Sequence, residues 1–86
     1  PPSYAQQALE TLTRAWNLQR GILDRSRVER PDLVPELRRT AAEICFRMGE
    51  HHSSHGDDGA ALECFTDAVH VDEAYGPALL ALARLC

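Results

Sequence analysis

Met48-Gly49 and, twelve residues on, Ala61-Leu62-Glu63-Cys64-Phe65-Thr66-Asp67-Ala68 carry the architecture of this 86-residue chain. Leu37, Ala41, Ile44, Cys45, Met48 and His52 recur in steps of three and four, which predicts a helix with one apolar face. Ala61, Leu62, Phe65, Ala68 and Val69 do the same in a second helix. Between them, Ser53-Ser54-His55-Gly56 ends the first helix, with Gly56 suited to the left-handed position, and Asp57 or Asp58 caps the second. Gly49, Ala61 and Ala68 are small, so the two helix backbones can approach closely while Phe65 fills the space between them.

That spacing matches the tetratricopeptide signature: a large-small pair in one helix, then Ala-x3-Phe and a further Ala in the next. Thirty-four residues after Met48-Gly49 stands Leu82-Ala83, the same large-small pair at the length of one repeat. Cys45 replaces the signature Trp, His52 the Tyr and Glu73 the closing Pro. The expected fold is all-α: about four helices as antiparallel hairpins of a tetratricopeptide-repeat superhelix. Met48, Gly49, Ala61, Phe65, Ala68, Leu82 and Ala83 are the expected repeat-packing residues.

Working outward, Ser3 is an N-cap with Pro2 just outside it, and Ala5, Ala8, Leu9, Leu12, Ala15, Trp16, Ile22 and Leu23 form a stripe running to about Glu29. Ala8, Leu12 and Ala15 mimic the second-helix pattern. Gly21 weakens the middle of this helix and permits a bend. Pro31 stops it, Arg30-Pro31-Asp32-Leu33-Val34-Pro35 is a short stiff connector, and Pro35 opens the next helix. Gly76-Pro77 opens a fourth helix through Leu79, Leu82, Ala83 and Cys86. The division that follows is 1–35 as the end of one unit, 36–75 as a near-complete repeat and 76–86 as the first helix of another. Pro1 is not an initiator Met, and Cys86 falls inside an apolar run, so both ends are expected to be cuts through a longer protein.

Composition removes several classes of function. The net charge is −4, every basic residue is Arg, and the halves 1–41 and 42–86 carry +2 and −6. An acidic second half argues against binding a nucleic-acid backbone, which takes clustered cations. The basic stretch from Arg14 to Arg30 is broken by Asp24 and Glu29 and reads as a solvated or salt-bridging face. No apolar run approaches the ~20 residues of a membrane span, so no direct membrane insertion is expected. Three cysteines without a CxxC spacing give neither a zinc ribbon nor a redox pair, and free thiols fit the cytosol.

Reactive chemistry finds little footing. His51 and His55 lie four apart, as helical zinc ligands do, but no HExxH glutamate or further ligand pair accompanies them. His52 is expected in the core and the other two at an exposed helix end. Cys45 and Cys64 fall on apolar stripes, where the thiolate is disfavoured. Ser53-Ser54 lacks an oxyanion architecture. No enzyme, metal or cofactor is expected. The first-helix positions that clamp a ligand carboxylate in chaperone-binding repeats are Phe46, Glu50 and Ser53 here, and Glu50 would repel such a ligand. A peptide-binding adaptor or co-chaperone is the alternative to a scaffold.

Three further stretches carry a closer resemblance: Ala15-Trp16-Asn17-Leu18-Gln19-Arg20-Gly21-Ile22-Leu23, the connector Arg30–Pro35 followed by Ala41-Ala42-Glu43-Ile44-Cys45, and Leu80-Ala81-Leu82-Ala83-Arg84-Leu85. From about residue 12 onward the chain resembles the C-terminal region of the large tetratricopeptide-repeat subunit of the intraflagellar transport A complex. The resemblance implies a non-enzymatic scaffold in retrograde ciliary transport and ciliary cargo entry. Its partners would be other subunits of that complex and neighbouring repeats of the same chain, and its place the cytoplasm and the cilium or flagellum.

Overall fold

The computed structural model describes residues 3–85, in which four α-helices and one 3-10 turn follow one another and no strand occurs among the described residues. Pro2 and Cys86, assigned above to the first cap and the last stripe, lie outside the described residues.

The first helix, α1, spans Tyr4–Glu29. Ser3 Oγ accepts from the Gln6 amide at 3.2 Å while Gln6 Oε1 accepts from the Ser3 amide at 3.0 Å, so two otherwise orphaned donors are satisfied reciprocally. The helix runs unbroken past Gly21. The Arg30 amide closes its last turn on the Ser26 carbonyl. Pro31–Leu33 then forms a 3-10 turn, and the Arg30 guanidinium grips Asp32 with bonds of 3.1 and 2.9 Å. Helix α2 spans Val34–Ser54 and begins one residue before Pro35, which sits in the first turn where its missing amide is not required.

Gly56, at φ +79°, is the one described residue in the left-handed region, and its amide bonds the Ser53 carbonyl. Asp57 Oδ1 accepts from the Ala60 amide at 3.1 Å to open α3, Asp58–Val71. Asp72 Oδ1 holds the Ala74 amide at 3.1 Å in the next turn, and α4 spans Gly76–Leu85.

These helices lie side by side in a slab of 40 × 34 × 14 Å. Helix α2 packs against α1 and α3, and α3 packs against α4. Ala42 and Cys45 of α2, Ala68 of α3 and Ala78 of α4 form the buried centre, with Trp16, Val69 and Tyr75 packed around it. Four side chains expected on buried stripes are exposed: Ile22 (38%), Leu62 (39%), Leu79 (45%) and Ala83. The cause is geometric. Each stripe is wider than the arc its neighbouring helices cover, so its edge faces solvent.

Candidate functional site

No side chain larger than alanine could occupy position 49 undisturbed, and even alanine is crowded. A Cβ built on Gly49 would lie 2.6 Å from Cδ1 and 2.9 Å from Cζ of Phe65, and closer still to Cε1. Phe65 is 3% exposed, and Ala61 and Ala68, one turn to either side of it on α3, are fully buried. The Cδ1–Cε1–Cζ edge of the Phe65 ring therefore lies against the α2 backbone at Gly49, with a buried alanine one turn to either side of Phe65 on α3. Phe46 on α2 packs tilted against Phe65, with centroids 5.6 Å and ring planes 39° apart, and Tyr75, from the turn before α4, meets Phe46 in a T-shaped contact at 5.9 Å. One aromatic seam so ties α2, α3 and the α3–α4 turn.

Of the seven residues singled out for repeat packing, Gly49 meets Phe65, while Ala61 and Ala68 are fully buried one turn to either side of Phe65 on α3. Met48 and Leu82 are half-buried, and Ala83 is exposed. Ala78, two residues into α4 beyond its first, is fully buried and was not singled out from the sequence. Its signal was the alanine itself, a small side chain on the turn where α4 first meets α2.

Two grooves flank the seam. One, of about 480 Å³, lies between α2 and α4 over Phe46, Glu50, Ser53, Phe65, Leu80 and Arg84. Glu50 and Arg84 occupy the same repeat position on facing helices, and neither is in an ion pair among the described residues. The other, about 850 Å³ and wide open, lies between α1 and α2 over Tyr4, Ala8, Leu12, Arg47, Glu50 and His51.

Reactive groups do not converge in either groove. Cys45 is 2% exposed, and its thiol is pushed up to about 12, first by burial and then by the negative charge of Asp67. Burial, Asp67 and Glu63 also raise the half-buried Cys64. Both thiols are free and protonated at neutral pH. The His51 and His55 rings stack at 4.4 Å, and His55 Nδ1 lies 2.8 Å from the His51 carbonyl and 3.2 Å from Ser54 Oγ. Partial burial, then the neighbouring His55 and His52, lower the His51 imidazole below its usual range. His52 is half-buried and His55 exposed, while His51 is half-buried on the rim of the wider groove. No group of three metal-capable side chains assembles among the described residues, and none of their helices is long and apolar enough to cross a membrane. The ion pairs Arg27–Asp24, Arg30–Asp32 and Arg47–Glu43 are exposed and local, so they fix no tertiary contact.

Antiparallel helices joined by short turns, with glycine and alanine at the crossings, define a tandem helical-repeat protein. The family model for the fourth ARM domain of tetratricopeptide repeat protein 21 matches residues 3–69, and the chain belongs to that family. It is 35% identical over 80 residues to the mouse protein named tetratricopeptide repeat protein 21A, and 30% over 80 residues to its human counterpart. To the human protein named tetratricopeptide repeat protein 21B it is 35% identical over 78 residues. These alignments cover 91–93% of the chain, which spans 6% of the length of the curated relatives it matches. No solved structure matches.

Proposed function

We propose that the chain is a segment of a non-enzymatic protein–protein interaction scaffold in the intraflagellar transport A complex, serving retrograde ciliary transport and the entry of ciliary cargo. The observation that carries this reading is the Gly49–Phe65 crossing flanked by Ala61 and Ala68, in a chain of the tetratricopeptide repeat protein 21 family. Packed helices whose thiols stay protonated, Cys45 buried and Cys64 half-buried, offer contacts rather than chemistry. Residues 1–35 close one unit, 36–75 form a repeat and 76–86 open another, with neighbouring repeats stacking on both sides. Met48-Gly49 and Leu82-Ala83 serve as equivalent crossing positions in this scheme, Ala83 being free to receive a further helix. The working partners are other subunits of the complex, in the cytoplasm and the cilium.

Affinity purification of the tagged protein from ciliated cells tests the reading. Co-purification of several large repeat and propeller subunits supports it, and their absence with a chaperone tail in their place contradicts it. One observation favours a second reading, a peptide-binding adaptor: the α2–α4 groove over Phe46 and Leu80 has the size of a peptide side-chain site. Glu50 and Arg84 line this groove with opposite charges, so its walls set no net charge preference for a peptide.

A further inference from the structure

The end of α2 holds His51, His52 and, at its C-cap, His55. His51 and His55 are four residues apart, so at ~100° per residue they fall within about 40° of each other around the helix axis. Their rings stack, with centroids 4.4 Å and planes 25° apart. His52 stands one residue further round the helix and meets His51 in a T-shaped contact at 5.9 Å.

The His55 ring is held in one tautomer. Its Nδ1 lies 2.8 Å from the His51 carbonyl oxygen, an atom that only accepts, so Nδ1 carries the proton of the neutral imidazole. The Ser54 hydroxyl gives its hydrogen to the same carbonyl at 2.9 Å, and therefore accepts at its 3.2 Å contact with Nδ1. Nε2 is then the lone-pair nitrogen of His55. Histidine metal ligands are oriented in this way, one ring nitrogen donating to a backbone carbonyl and the other facing the ion. Neither nitrogen of the His51 ring is hydrogen-bonded among the described residues, which leaves it free to bind.

An ion bound to two imidazole nitrogens at ~2.0–2.1 Å holds them roughly 3 Å apart. Rings with centroids 4.4 Å apart reach that bite by tilting toward each other, and with His55 exposed and His51 half-buried neither is locked by packing. Arg47, one turn before His51, is paired with Glu43 at 3.0 Å, so its charge is compensated. No third His, Cys, Asp or Glu joins the pair among the described residues. Two neutral nitrogen donors without carboxylates reject magnesium and calcium and favour copper(II), nickel(II) and zinc. The four-residue spacing alone selects no metal; the approach of the rings and the fixed tautomer do.

We infer that His51 and His55 chelate one divalent ion of the copper, nickel and zinc group, with water in its remaining positions. The ion ties the last turn of α2 to its C-cap and holds that end against fraying. This site is independent of the scaffold reading.

The test titrates the isotopically labelled chain with zinc chloride and follows the histidine rings by NMR, with copper(II), nickel(II) and magnesium compared by calorimetry. The His51 and His55 ring resonances shift together, while those of His70 on α3 stay in place. Copper(II) binds tightest and magnesium does not bind. Zinc raises Tm, and EDTA reverses the rise. His51→Gln and His55→Gln each weaken zinc binding about tenfold or more and abolish the rise in Tm, whereas His70→Gln changes neither. Far-UV circular dichroism of the metal-free variants matches that of the native chain, which separates lost binding from lost fold. Equal shifts at all four histidines mean an adventitious ion only and overturn the site. So do binding that survives either substitution, a Tm that zinc leaves unchanged, and no binding at all. None of these outcomes bears on the Gly49–Phe65 crossing, so the site and the scaffold fail separately.

Discussion

Replacing Gly49 with alanine adds one methyl group at the tightest point of the structure. The new Cβ would fall 2.6–2.9 Å from two Phe65 ring carbons, about 1 Å inside the optimal carbon–carbon separation. The ring cannot swing aside freely. It is 3% exposed, and it packs tilted against Phe46, which in turn meets Tyr75. Overpacking of this kind costs about 1–3 kcal/mol. Against it stands the gain of ~0.5–1 kcal/mol from replacing a mid-helix glycine. The net expectation is a loss of about 1–2 kcal/mol, which for a chain of this size lowers Tm by roughly 5–15 °C. Gly21→Ala is the matched control, because its Cβ meets only the Arg25 side chain at 3.8 Å. That variant keeps the propensity gain and should raise Tm. Thermal unfolding followed by far-UV circular dichroism reads both signs. In a Phe65→Leu background, which removes the ring edge, the alanine at 49 should cost at least ~1 kcal/mol less. A Gly49→Ala protein as stable as Gly21→Ala, or strictly additive behaviour in that cycle, would refute the close-packed crossing.

Other outcomes follow from the same coordinates. Gly56→Ala forces a Cβ into the left-handed region at φ +79° and should lose about 1–2 kcal/mol by denaturant titration, with Gly56→Asn losing less. Alkylation of the folded chain at mildly alkaline pH should modify Cys64 slowly and leave Cys45 untouched until the chain unfolds, as peptide mass spectrometry would report; rapid Cys45 labelling would contradict its burial. The Cys45 thiol keeps its proton in the folded chain up to about pH 12, while the unfolded thiol releases it near 9. Stability from this group is therefore complete below the lower value and declines across that window, and Cys45→Ala should flatten the alkaline limb of the stability–pH curve.

Local rules made much of this fold legible. Ser3, Gly56 and Asp57 act on backbone groups within three or four residues, so their caps could be read directly, as could the helix count and, from the Ala15–Leu23 and Arg30–Cys45 stretches, the family. Pro35 misled by one residue, because Val34 has torsions that already belong to the helix. Ile22, Leu62 and Leu79 show the limit of periodicity, which gives the width of an apolar arc but not how many neighbours cover it. At the site, small residues in register pointed to Gly49, Ala61 and Ala68, of which Gly49 meets Phe65 and both alanines are buried, whereas Ala83, in the same register, is exposed. Phe46 was read as a ligand-facing position, yet its ring also bridges Phe65 and Tyr75. That contact depends on where the α3–α4 turn delivers Tyr75, a long-range outcome with no local signature.

The whole account rests on an aromatic ring pressed against a bare backbone, and proton NMR observes that contact in solution. Strong nuclear Overhauser effects should connect the Gly49 α-protons to the Phe65 ring, with those α-protons moved far from random-coil shifts by the ring current. Gly49 α-protons at random-coil positions with no cross-peak to Phe65 would mean that α2 and α3 do not cross there, and the repeat scaffold would fall with that result.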